Sequence, residues 1–201
     1  MKVLIVVDLQ RDFIPGGRLP VPKGDEIVSL INGIMDRFDL VVATQDWHPA
    51  QHLSFAVHHE GKKPFEKIML GGLEQTLWPE HCLQGTEGAS FAPGFDDRRV
   101  EAIFRKGTDP EIDSYSGFFD NARRKSTGLS DYLRGRGAKK VYVCGLAAEY
   151  CVLYTALDAI DLGFPTYYIE DATRALSEAD FIKAKEVILS KGGKIVKTST
   201  L

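Results

Sequence analysis

The sequence predicts an α/β fold with three layers, in which helices cover both faces of a doubly wound, mainly parallel six-stranded sheet. Short apolar runs rich in β-branched residues recur along the chain, and such continuous apolar runs are typical of strands that are buried on both faces. Amphipathic helical patterns lie between several of these runs. Regular alternation of strands and helices favours a parallel sheet. A length of 201 residues fits a single domain, 1–201.

Six strands and four helices are predicted from these patterns. The strands are 3–7, 40–44, 100–104, 141–143, 166–169 and 194–196. The helical patterns cover 27–34, 129–133, 153–160 and 181–189.

The segment 45–94 interrupts this alternation and is rich in Gly, Pro, His and Trp. We interpret it as a long insertion or lid, because long loops inside compact domains are usually functional and its aromatic residues argue against disorder. All five histidines fall inside it. The sequence therefore predicts a site in or beside this insertion.

Composition excludes several classes of partner. A net charge of -3 offers no basic face for nucleic acid, and no apolar run reaches the length that spans a membrane. Three cysteines suggest a reducing compartment rather than disulfide staples. The apolar run before Asp8 is too short for a signal peptide, so we expect a cytoplasmic protein. Apolar helix faces are compatible with a homo-oligomer, but no sequence pattern indicates the number of subunits.

Cys151 is a candidate nucleophile. It follows an apolar strand and a tight segment that begins at Gly145, and it is predicted to open a helix that runs to about Gly163. A helix N-terminus favours a thiolate over a thiol, and its free N–H groups can bind an oxyanion. The alternative is that Cys151 is a small buried hydrophobic residue.

Asp8 and Lys106 also follow predicted strands. Ligand sites of open α/β sheets lie outside the carboxyl ends of the strands, so we expect both side chains near Cys151. Taken singly, Asp8 could be a turn or cap residue, and Lys106 could be an exposed surface residue.

Asp46, His48 and His81 form a candidate set of metal ligands. Asp46 and His48 are two residues apart, and this spacing on an extended chain points both side chains to one side. With His81 as the third ligand, the set suits one divalent ion per chain, most naturally zinc, with iron or manganese as alternatives. A plain surface loop is the competing interpretation. The role of His52 stays open among a ligand, a substrate contact and a structural hydrogen bonder.

From the first strand to about Asp171, the chain resembles the nicotinamidases (pyrazinamidases) of the isochorismatase-like cysteine hydrolases. The segments that carry the resemblance occur in the family's order. They are Val7-Asp-Leu-Gln-Arg-Asp-Phe13, Asp46-Trp-His-Pro49, Trp78-Pro-Glu-His-Cys82, Lys106-Gly107, Asp113-Ser-Tyr-Ser116, Phe118-Phe-Asp120 and Gly145-Leu-Ala-Ala-Glu-Tyr-Cys-Val152.

The resemblance implies a catalytic triad of Asp8, Lys106 and Cys151, with the metal held by Asp46, His48 and His81. It further implies an oxyanion hole from the N–H groups of Ala147 and Cys151, a cis peptide between Leu146 and Ala147, and a substrate pocket that includes Phe13, Trp78 and Ala147. The expected reaction is hydrolysis of nicotinamide, and of pyrazinamide, in NAD salvage.

Three alternatives remain at this stage. The first is another amidase of the superfamily that acts on N-carbamoyl compounds, which would not need Asp46 and His48. The second is an isochorismatase-type ether hydrolase, which typically lacks the nucleophilic cysteine. The third is a catalytically silent binding protein on the same fold.

Overall fold

The computed structural model describes residues 1–201, and a parallel six-stranded sheet forms its centre. The strands are β1 (Lys2–Val7), β2 (Leu40–Asp46), β5 (Ala102–Lys106), β6 (Lys140–Gly145), β7 (Thr166–Thr173) and β8 (Lys194–Val196). Their spatial order is β5-β2-β1-β6-β7-β8, and all neighbours pair in parallel. The predicted fold class is confirmed.

Helices cover both faces of this sheet. The helices are α1 (Ile27–Ile34), α2 (Leu129–Gly135), α3 (Leu153–Asp161) and α4 (Glu178–Ser190). Alternate residues of the buried strands point to opposite faces, so the core has two layers. Leu4 and Val6 pack in the same layer as α1, whereas Val3 and Ile5 pack in the layer that contains residues of α2, α3 and α4.

Several element boundaries differ from those predicted, and two of the differences are informative. Strand β5 begins at Ala102 rather than Val100, because a short helical turn at Asp97–Arg99 is closed by a hydrogen bond from the Val100 N–H to the Asp97 carbonyl. Cys151 does not open α3. It lies inside a π-helical turn, Ala148–Val152, that precedes this helix.

The insertion contains a hairpin that the sequence patterns did not predict. Strands β3 (Lys67–Leu70) and β4 (Leu73–Thr76) pair in antiparallel fashion, apart from the main sheet. Their residues are mostly exposed or half-buried, so no continuous apolar run marks them.

The register of the sheet brings the predicted site together. Asp46 pairs with Lys106 across β2 and β5, and Val7 pairs with Gly145 across β1 and β6. The carboxyl ends of β1, β2, β5 and β6 therefore meet at one edge, where an open parallel sheet builds its ligand site. No helix has both the length and the apolar content to cross a membrane.

Gly145 is a position where a side chain has no room. Its φ is +123°, and an added Cβ would lie 2.1 Å from the Val7 carbonyl oxygen. We expect Gly145→Ala to lower the free energy of unfolding by more than about 2 kcal/mol, through backbone strain and overpacking. Urea denaturation measures this change.

Gly135→Ala is the matched control. Gly135 lies in the last turn of α2, and an added Cβ would meet nothing within 4 Å. This substitution should leave stability unchanged or raise it by about 0.5–1 kcal/mol. Equal destabilisation by both substitutions would contradict the steric argument.

Candidate active site

The ammonium group of Lys106 lies at the centre of a buried ionic cluster. Its Nζ lies 2.8 Å from Asp8 Oδ2 and 2.5 Å from Asp46 Oδ1, and its side chain is fully buried. It also donates to the Ser114 carbonyl oxygen at 2.9 Å. Both carboxylates hold the pKa of Lys106 well above its usual value despite burial, so the side chain carries a permanent charge.

Asp8 lies just beyond β1 and is held by Thr44. The Thr44 hydroxyl donates to Asp8 Oδ1 at 2.6 Å and accepts from the Asp8 N–H at 3.2 Å. Asp8 adopts a φ of +46°, which turns the chain at the strand end. Burial raises the pKa of the Asp8 carboxyl, although Lys106 opposes this shift. A carboxylate with a raised pKa is suited to accept a proton.

Cys151 lies against the same ammonium group, with its Sγ 3.4 Å from Lys106 Nζ. Burial raises the pKa of the thiol well above its usual value, and the attraction of Lys106 is too weak to reverse this. Cys151 was expected at a helix N-terminus that favours the thiolate, whereas in the π-helical turn Ala148–Val152 burial opposes the charged form. The resting group is a thiol, so its activation needs a base.

Asp46, His48 and His81 come together as the sequence predicted, and all three are buried. His81 Nε2 lies 3.6 Å from Asp46 Oδ2, while Nδ1 of the same ring is 2.8 Å from the Pro79 carbonyl oxygen. Burial raises the pKa of Asp46, but Lys106 and the two imidazoles outweigh it and keep the carboxylate ionised.

This group of side chains fits a divalent metal ion. His48 Nδ1 is buried and has no hydrogen-bond partner, which is costly for a polar atom unless a ligand uses it. One carboxylate oxygen and two imidazole nitrogens form a donor set that zinc, iron and manganese accept.

His52 is a structural hydrogen bonder. Its Nδ1 accepts a hydrogen bond from the Ser54 N–H at 3.1 Å. Burial lowers its pKa to about 4, so the ring is neutral at physiological pH and carries its proton on Nε2. A protonated nitrogen cannot ligate a metal, and His52 is absent from the lining of the cavity beside Cys151. The hydrogen bond with Ser54 is therefore the one role that the structure shows, while Nε2 is buried without a partner.

A small, mostly apolar cavity opens beside the thiol and the metal-ligand group. Phe13, Trp78 and Ala147 lie in its wall, as the resemblance implied, together with Cys151. The peptide between Leu146 and Ala147 is cis, also as expected. Asp8, Lys106 and His48 are absent from the lining, and they are buried next to residues that form it.

Sequence reasoning missed several lining residues. These are Leu19, Val21, Asp113, Tyr115, Tyr150 and Leu176. Most lie in loops, and their approach depends on the path of the chain rather than on a periodic pattern. A signal existed for Asp113, Tyr115 and Tyr150, since all three occur in segments that carry the family resemblance.

Comparison with known proteins places the chain in a family. The model of the isochorismatase domain matches residues 2–199. The chain belongs to this family.

Isochorismatase-domain proteins similar to this chain include enzymes of known activity. The chain is 46% identical over 180 residues to a nicotinamidase of Escherichia coli, covering 88% of this chain and 84% of the relative. An Acinetobacter baumanii nicotinamidase and pyrazinamidase superposes with a TM-score of 0.96 at 43% identity, covering 99% and 97% of the two chains. A Pyrococcus horikoshii pyrazinamidase solved in complex with zinc superposes with a TM-score of 0.80 at 42% identity, covering 98% of each chain.

The ionic cluster yields a stability prediction. Lys106→Met leaves two buried carboxylates without their cation, so the free energy of unfolding at neutral pH should fall by about 3–5 kcal/mol. In the variant the folded-state pKa values of Asp8 and Asp46 rise above their unfolded values. Stability is then greatest below the unfolded pKa, near 4, and falls as pH rises.

Urea denaturation at about pH 5 and pH 8 measures this effect, and the deficit relative to wild type should be larger at the higher pH. Lys67→Met removes an exposed ion pair with Glu74 and should change stability little. A Lys106→Met deficit that does not vary with pH would contradict the electrostatic origin.

Proposed function

We propose that this isochorismatase-domain protein is an amidohydrolase that converts nicotinamide to nicotinate and ammonia, and that it hydrolyses pyrazinamide in the same way. The observation that carries the proposal is the contact of a thiol, a carboxyl and an ammonium group beside an apolar cavity with metal ligands in its wall. The similarity to nicotinamidases supports it. The product suits a role in NAD salvage.

Asp8, Lys106 and Cys151 perform the first half of the reaction. Asp8 takes the proton of the Cys151 thiol, and its raised pKa suits it to this task. The sulfur attacks the amide carbon, and a C–S bond forms. The C–N bond then breaks as Asp8 passes its proton to the departing ammonia, which leaves a thioester on Cys151.

Water completes the cycle. Asp8, again a base, removes a proton from a water molecule whose oxygen attacks the thioester carbon. The C–S bond breaks, Asp8 returns its proton to the sulfur of Cys151, and the product leaves as nicotinate after the second proton of the water passes to solvent. Lys106 stays charged throughout and steadies the negative charge that moves between Asp8, Cys151 and the substrate oxygen.

Asp46, His48 and His81 would hold the metal ion, for which zinc is our proposal. A bound ion would supply a Lewis acid for the pyridine nitrogen of the substrate ring. Phe13 and Trp78 would flank the ring. The backbone N–H groups of Ala147 and Cys151 would receive the carbonyl oxygen as it gains charge.

Cys151→Ala should abolish ammonia release from nicotinamide, because no thioester can form, while nicotinamide still binds. Ammonia release, calorimetric binding of nicotinamide and mass spectrometry of rapidly quenched wild-type protein are the measurements. The wild-type protein should carry a transient adduct with the mass of one nicotinoyl group.

Cys144→Ala is the control, since Cys144 is a buried thiol in β6 outside the site, and it should retain activity. Appreciable hydrolysis by Cys151→Ala would exclude the covalent route. Metal-loaded wild-type protein that releases no ammonia would indicate a different amide substrate. Absence of both activity and bound metal would indicate a silent scaffold.

His81→Ala should remove the metal and lower kcat/KM for nicotinamide by about 100-fold, chiefly through KM, because the ring loses its orientation. Metal content by plasma mass spectrometry should fall from about one ion per chain. His58→Ala is the matched control, since His58 is exposed and its imidazole makes its hydrogen bond with the Ala50 carbonyl oxygen rather than with a residue of the site. Full activity of metal-free wild-type protein would exclude this role.

A further inference from the structure

Asp113 is a buried carboxylate that the proposed reaction does not use. It is 3% exposed and lies in the loop that follows β5. Its Oδ1 is 3.2 Å from His48 Nε2 and also accepts from the Ser114 N–H at 2.8 Å. Its other oxygen, Oδ2, accepts from the Gln75 amide at 3.2 Å. Because both oxygens of Asp113 already accept from N–H donors, we place the proton of the contact with His48 on the imidazole.

This contact decides which nitrogen of His48 is free. With its proton on Nε2, a neutral His48 presents the lone pair of Nδ1, and Nδ1 is the buried atom that lacks any partner. Such outer carboxylates fix the tautomer and the orientation of ligating histidines in metal sites.

Gly107 makes the approach of His48 to Asp113 sterically feasible. A Cβ at Gly107 would lie 2.7 Å from His48 Nε2, so any side chain there would displace the imidazole edge that faces Asp113. The loop after β5 therefore supplies both the acceptor and the space for the ring.

Gln75 holds Asp113 from the opposite side. Its Nε2 carries two hydrogens for three neighbouring acceptors: the Thr76 carbonyl oxygen at 2.7 Å, and Asp113 Oδ2 and the Tyr115 hydroxyl, each at 3.2 Å. Gln75 is 4% exposed although it belongs to β4 of the otherwise exposed hairpin. The hairpin is thus tied to the carboxylate that contacts His48.

We propose that Asp113 is a positioning residue of the metal centre, which accepts the Nε2 proton of His48, directs Nδ1 to the ion, and is itself anchored by Gln75 of the hairpin. The inference rests on the metal site of the proposed function. It adds that the hairpin contributes to metal affinity although it supplies no ligand.

The competing arrangement makes Asp113 a metal ligand together with His48 and His52, whose donor atoms also approach one another. His52 argues against it, because its Nδ1 is already an acceptor and its other nitrogen therefore carries the proton. Using both lone pairs of this ring would require an imidazolate anion.

Long-range ¹H–¹⁵N spectra of zinc-loaded wild-type protein labelled on histidine nitrogen test the tautomer directly. We expect the His48 proton on Nε2 and a metal-shifted Nδ1. A proton on Nδ1 with Nε2 bound to zinc would overturn the proposal, and so would a protein that binds no zinc. This measurement needs neither a variant nor turnover.

Metal affinity of variants is the second test, measured with zinc in competition with a chelating dye. Asp113→Asn should weaken zinc binding by about 10–100-fold. Its side-chain NH2 group would have to face the N–H group of either His48 or Gln75, so that two hydrogen-bond donors oppose each other. Gln75→Leu should weaken zinc binding by a smaller factor. Asp109→Asn is the matched control, because Asp109 lies in the same loop and its carboxylate accepts from the Glu111 N–H rather than from a residue of the metal site. This variant should bind zinc as the wild type does.

An unchanged zinc affinity in Asp113→Asn would overturn the proposal even if the variant is less stable. Failure of this inference can be told apart from failure of the proposed function. If the wild-type protein hydrolyses no nicotinamide but Asp113→Asn still weakens zinc binding, the proposed function fails and this inference stands.

Discussion

The buried ammonium of Lys106 is the interaction on which the rest of the site depends. It contacts the carboxylates of Asp8 and Asp46, and all three side chains are nearly inaccessible to water. Charges in such surroundings are tolerated only when they are paired and hydrogen-bonded. The order β5-β2-β1 places the three strand ends side by side, so the topology of the sheet provides this compensation. The thiol and the metal-ligand group are arranged around it.

Asp8 and Asp46 are the same residue type, but their surroundings shift the pKa values of their carboxyl groups in opposite directions. Asp8 has few partners beyond Lys106 and Thr44, and its pKa is raised by burial. Asp46 faces Lys106 and two imidazoles, and these keep it ionised. One carboxyl can therefore exchange protons while the other remains an anion, which is the pattern by which paired acids take separate roles.

The extent to which sequence predicted the structure follows from how each feature is encoded. Strands buried on both faces form continuous apolar runs, so β1 and β2 were located within two residues, and the groups at their ends followed. The hairpin was missed because its strands bury few side chains. The position of Cys151 inside a π-helical turn and the burial that raises its thiol pKa were not predicted, because both depend on packing from distant segments. Asp113 and Gln75 meet only through tertiary structure, and no spacing indicates that they touch.

The Lys106-Gly107 dipeptide serves two separate requirements. Lys106 carries the charge that the carboxylates need, whereas Gly107 leaves room for the ring of His48. A residue at a neighbouring position could not meet either requirement. The register of β5 fixes the position of the Lys106 ammonium group, and the loop after β5 fixes the space that the His48 ring occupies. Substitutions at the two adjacent positions should therefore be selected against for different reasons, one electrostatic and one steric. A second substitution at one position cannot restore what is lost at the other.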